Sequence, residues 1–75
     1  MQYSMQIAWS DEDQAYLVTL PEWAERVMQP VTHGDTYEEA AKHGCEVLEM
    51  LIDLAQQEGH PLPTPAIFSA NRATA

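Results

Sequence analysis

The sequence has three basic side chains, one cysteine, three glycines and no apolar run longer than Ala15–Val18. Each scarcity excludes something. Twelve acidic residues against three basic ones give a net charge of −9, which repels nucleic-acid phosphates and anionic membrane surfaces within a Debye length of about 8–10 Å. Direct nucleic-acid or membrane binding is therefore not expected, and a charged partner should be basic. A single cysteine, Cys45, cannot form an intramolecular disulfide, and the N-terminus lacks a charged region followed by an apolar one. A cytoplasmic location is the resulting expectation. The longest apolar run falls far short of the roughly 20 residues needed to cross a bilayer. A single domain of 75 residues buries only about 60% of its unfolded surface, so oligomerisation or a bound partner would supplement its stability.

What is present is patterned. Tyr3, Met5, Ile7 and Trp9 alternate with Gln2, Ser4, Gln6 and Ala8, the period of a strand with one buried face. This predicts a first strand over Gln2–Trp9. Ser10-Asp11-Glu12-Asp13-Gln14 interrupts the apolar pattern, which resumes at Ala15–Leu20 and stops at Pro21. A hairpin is the simplest connection. After an irregular stretch around Trp23, Val27–His33 reads as a third strand, and Pro30, which has no amide proton to donate, puts that strand at a sheet edge or a bulge.

Thr36 followed by Glu39 is a capping-box pattern, in which the hydroxyl accepts from the N3 amide and the carboxylate reaches back to the N-cap amide. The predicted helix starts at Tyr37. Tyr37, Ala40, Ala41, Gly44, Cys45, Leu48, Leu51, Ile52 and Ala55 then step by three or four along one stripe to Gly59, which sits where a left-handed C′ residue belongs. Pro61-Leu62-Pro63-Thr64-Pro65 must be extended. A short fourth strand could follow at Ala66–Ala70, and Asn71–Ala75 reads as a disordered tail. The fold class is α+β: a three-stranded antiparallel meander with one long helix on one sheet face, in a single domain over residues 1–70.

Several features taken together carry a family resemblance: the N-terminal hairpin closed by Leu20-Pro21, the run Thr32-His33-Gly34-Asp35-Thr36-Tyr37-Glu38-Glu39-Ala40, a helix of some 20 residues, and Pro61-x-Pro63 at its exit. Over residues 2 to about 65 the chain resembles the HicB-like antitoxins, here as a short, solo-domain member. Pro21, Gly34, Asp35, Thr36 and Glu39 are the motif positions. The resemblance implies a partial RNase H-like fold, no catalysis, and an antitoxin role in a toxin-antitoxin system. The implied partner is a small basic HicA-like toxin that cleaves mRNA, whose surface the antitoxin covers. Two departures stand out. Many members carry a C-terminal DNA-binding domain, which the fifteen residues after His60, three of them proline, cannot form. Glu22-Trp23-Ala24-Glu25-Arg26 also replaces the glycine-containing turn of many relatives.

Candidate sites follow from what the fold leaves over. Asp35 could be a metal-holding carboxylate of a vestigial nuclease, but one acid beside a glycine is more often a turn or helix-dipole residue. Asp11, Glu12 and Asp13 read as a solvated charge run. His33, His43, His60 and Cys45 lack zinc-ligand spacing. No catalytic residue, metal or cofactor is therefore expected. Val47, Met50 and Leu54 form a second apolar stripe. Either the tail folds over it through Leu62, Ile67 or Phe68, or it is a homodimer, higher homo-oligomer or toxin-binding face. Trp23 either fills the open end of the sheet or, with Glu22 and Glu25, anchors a basic partner. The alternative to an antitoxin is a solitary homo-oligomeric domain with an unidentified ligand.

Overall fold

A computed structural model describes residues 2–67 of the chain. Strands β1 (Gln6–Ser10), β2 (Ala15–Thr19) and β3 (Thr32–Gly34) form an antiparallel meander in the order β1-β2-β3, and the helix α1 (Tyr37–Glu58) packs on one face. The expected α+β architecture, with its helix start, its helix end and its proline-bearing third segment at the sheet edge, is the one observed.

Both outer strands are shorter than their apolar patterns, for reasons visible in the backbone. The hairpin register pairs Gln6 with Thr19, so residues before Gln6 would have to pair with Leu20 and Pro21. Pro21 offers no amide, and Pro21–Trp23 forms a single 3-10 turn. The ladder stops there. Tyr3 and Met5 nevertheless keep the strand alternation and pack on the core. At the other edge, Val31 donates its amide to the Val18 carbonyl at 2.9 Å, but pairing with β2 begins only at Thr32. Ahead of Pro30 the Gln29 side chain stands in for a strand. Its amide oxygen accepts from Leu20 N at 3.1 Å and its amide nitrogen donates to Leu20 O at 3.0 Å. Both polar groups of a fully buried residue are thereby satisfied.

Val18, Leu20, Trp23, Ala40 and Leu48 make the core. Small residues on α1 let the helix lie close: Ala40, Gly44 and Ala55 are buried beside Leu48, and Met5 fills the space above Gly44. The stripe is narrower than the sequence suggests. Cys45 is exposed, and Tyr37, at the first helical position, lies outside the core. The helix closes as expected, with Gly59 at φ 70°, its amide bonding to Gln56 O, and His60 N donating to Ala55 O at 2.9 Å. That pair of bonds is a Schellman motif.

The chain after Gly59 runs back along the N-terminal segment. Tyr3 Oη donates to Pro63 O at 2.7 Å, and Arg26 Nη1 donates to Pro61 O at 2.7 Å. Ala66 and Ile67 form no strand. The rest of the expected fourth strand, and the expected tail over Asn71–Ala75, lie outside the described residues.

Candidate partner-binding surfaces

The strand-helix junction is built by sequence-local chemistry. Thr36 Oγ1 accepts from Glu39 N at 3.0 Å, as a capping box requires. The reciprocal arm differs from the expectation: Glu39 Oε1 accepts from Asp35 N at 3.0 Å, one residue upstream of the N-cap. Asp35 itself is exposed. Among the described residues no three His, Cys, Asp or Glu side chains converge on a metal-sized site. His43 Nδ1 contacts the His33 carbonyl at 2.6 Å. A carbonyl can only accept, so that nitrogen carries the proton and ties α1 to β3.

Two of the three loop residues expected to face a partner, Glu22 and Trp23, are turned onto the N-terminal segment and the returning tail instead. Trp23 is 2% exposed and stacks edge-on against Tyr3, with ring centroids 4.7 Å apart. An indole so buried has no face to offer, so the contact reading of Trp23 gives way to the core reading. Glu22 is a clamp. Its carboxylate accepts from Ser4 N at 3.1 Å and from Ala66 N at 2.9 Å, joining the N-terminal segment to the returning tail. Glu25, on the same loop, is exposed.

Burial alone would raise the Glu22 pKa, but the backbone donors at Ala66 and Ser4 outweigh it, and the carboxyl sits below its ordinary value. A depressed carboxylate contributes stability above its unfolded pKa and loses it as pH falls through the lower folded value. In the wild type, protection of the Ser4 and Ala66 amides from hydrogen exchange should thus persist at neutral pH and be lost only as pH falls below the ordinary carboxylate range. Glu22→Ala, which removes both acceptor oxygens, should lose that protection at pH 7, while amides of α1 stay protected. Full protection in the variant would show that the carboxylate does not hold the two ends together.

The second helical stripe is split. Val47 is half-buried against the core, whereas Met50 and Leu54 are 57% and 45% exposed. Met50 and Val47 border a groove with Thr32, His33 and His43. Leu54 borders another, of about 480 Å³, with Val27, Leu51 and Ala55. The described tail is hydrogen-bonded to Tyr3, Ser4 and Glu22, and Pro61 borders the groove at Leu54; the Phe68 part of the expected cover lies outside the described residues.

One further surface went unread in the sequence. Trp9 and Tyr16 are directly opposed in the hairpin register, with ring centroids 5.1 Å apart, and Tyr16 lies 4.2 Å from Tyr37. Periodicity places Trp9 and Tyr37 on inward faces. Each stands at the end of its element, however, where the opposing layer no longer covers it. Their positions beside acidic runs were the available signal.

Comparison with protein-family models, curated proteins and solved structures finds no match to this chain. No helix among the described residues is long and apolar enough to cross a membrane.

Proposed function

We propose that the chain is a protein-binding domain of the HicB-like antitoxin type, which neutralises a small basic HicA-like toxin by covering its RNA-binding and catalytic surface. The observation that carries the reading is the strand-to-helix junction. Gly34, Asp35, Thr36 and Glu39, the positions on which the resemblance rests, jointly set how α1 leaves the meander. The finer description of the fold as a partial RNase H-like layer belongs to the same proposal. The charge of −9 suits a basic partner by speeding encounter and suppressing wrong pairings. Exposed Met50 and Leu54 supply apolar area of the kind that holds a complex together. In this role the domain performs no catalysis.

The test is co-expression with any small basic protein encoded beside the chain. A stable complex and relief of growth arrest are expected. A neighbour that is neither bound nor restrained removes the antitoxin reading.

The exposure of Met50 and Leu54 also favours a second reading, a homo-oligomer that self-associates along this flank. Leu54→Glu places a charge on this flank. Light scattering should then report the mass of a monomer where the wild type gives a multiple, and an unchanged mass would remove the flank as a seam.

A further inference from the structure

We propose that the Trp9–Tyr16–Tyr37 surface is the docking site for an arginine side chain of a basic protein partner. This rests on the reading of the chain as a binder of basic proteins and assigns the contact to a surface outside the helical flank. Three observations meet there. The rings form a continuous series from β1 across β2 to the start of α1, with interplanar angles of 66° and 35°. Its two outer members are exposed, Trp9 by 47% and Tyr37 by 61%, so ring area remains open to solvent. Trp9 Nε1 donates to Asp11 Oδ1 at 2.8 Å, which pins the indole and holds a carboxylate beside it.

The surrounding charge selects the occupant. Asp11, Glu12 and Asp13 follow Trp9 in the hairpin loop, and Asp35 and Glu38 flank Tyr37 in the sequence; all five are exposed. Ser10 Oγ donates to Asp13 Oδ2 at 2.8 Å and Gln14 Nε2 donates to Asp11 O at 2.7 Å, so the loop has a defined shape. The opposing field of the α1 N-terminus is moderated by the Thr36 and Glu39 caps. Open aromatic rings can also stack nucleic-acid bases, but five carboxylates repel the accompanying phosphates. A guanidinium satisfies both halves of the site, because its plane stacks on an aromatic face while its fork of N–H donors meets a carboxylate. Lysine's ammonium is also drawn to a ring face, but it has no plane to stack there and no fixed fork to set against the carboxylate, so it fits the site less well.

The experiment uses the full chain, 15N-labelled, titrated with peptides of nine arginines or nine lysines at near-physiological salt. Trp9→Phe assigns the Trp9 indole signal. Arginine peptide should shift that signal and leave the buried Trp23 indole in place, and it should bind more tightly than lysine peptide. Tyr37→Ala, which removes an exposed ring from outside the core, should weaken arginine-peptide binding about fivefold, and Tyr37→Phe should retain it. Unchanged affinity in Tyr37→Ala, shifts confined to the exposed acids Glu46, Glu49 and Asp53 of α1, or equal affinity for the two peptides would overturn the assignment. The two proposals fail separately. Arginine-peptide binding at Trp9 without any hold on the basic neighbour keeps this site and removes the antitoxin role. Undiminished restraint of that neighbour by Tyr37→Ala and Trp9→Ala keeps the role and removes this site.

Discussion

Gly34→Ala should leave the domain largely unfolded at room temperature in modest urea. A Cβ at Gly34 would lie 2.7 Å from Ala40 Cα and 2.8 Å from the Glu39 carbonyl carbon, with the Ala40 nitrogen closer still. Carbon atoms in comfortable contact are about 3.5–4.0 Å apart. Every one of these neighbours is backbone of the first helical turn, so no side chain can swing aside. The helix would have to lift from β3, opening the packing of Ala40 against Val18 and loosening the cap that fixes the junction. A cost of about 2–4 kcal/mol follows, comparable to the whole stability of a domain this small. Urea denaturation should show the midpoint falling by roughly 2–4 M at an m-value near 1 kcal/mol/M. Gly44→Ala is the matched control. Its methyl would meet the Met5 thioether, the movable end of a flexible side chain, with Val18 Cγ1 at 3.0 Å. Its gain of about 1 kcal/mol in helix propensity works against that crowding. Equal midpoints for the two variants would show that the close approach at Gly34 is not what holds the junction.

The difference between these glycines also marks how far the sequence could be read. Gly59 was legible because its role is local: a helix stripe ends, and the next residue takes a left-handed conformation. The sequence marks Gly34 only as a motif position; the structure puts it at the end of β3, paired with Tyr16, where its requirement is the proximity of a helix backbone. The same division holds elsewhere. Strand order and the α1 boundaries follow from periodicity and capping, which are properties of neighbouring residues. The length of β1 does not, because it is set by where Pro21 falls in the register of another strand. Glu22 reads as an exposed acid in an acidic chain and becomes a clamp only when residues 4 and 66 are brought to it. Likewise Trp9, Tyr16 and Tyr37 are unremarkable singly, and only strand register and helix placement make them one surface.

Trp23→Ala should be the most destabilising substitution in the loop that the sequence offers as a partner contact. If Trp23 were a surface anchor, truncation would lower partner affinity and leave stability untouched. Its burial reverses that expectation. The indole packs with Val18, Leu20 and Leu48, meets Tyr3 edge-on, and closes the end of the sheet where the β1–β2 ladder stops. Removing so large a buried aromatic costs about 3–5 kcal/mol, because the transfer term is joined by that of the cavity left behind. That cost is comparable to the whole stability of a domain this size, so circular dichroism should show no cooperative thermal melt in Trp23→Ala where the wild type gives one. The turn that follows the 3-10 segment should suffer as well, since both Arg26 N and Val27 N bond to the Trp23 carbonyl and depend on where that residue sits. Trp23→Phe keeps an aromatic ring against Tyr3 and should recover much of the loss. A melt unchanged in Trp23→Ala would return Trp23 to the contact surface and place the core's centre of gravity nearer Val18 and Leu20.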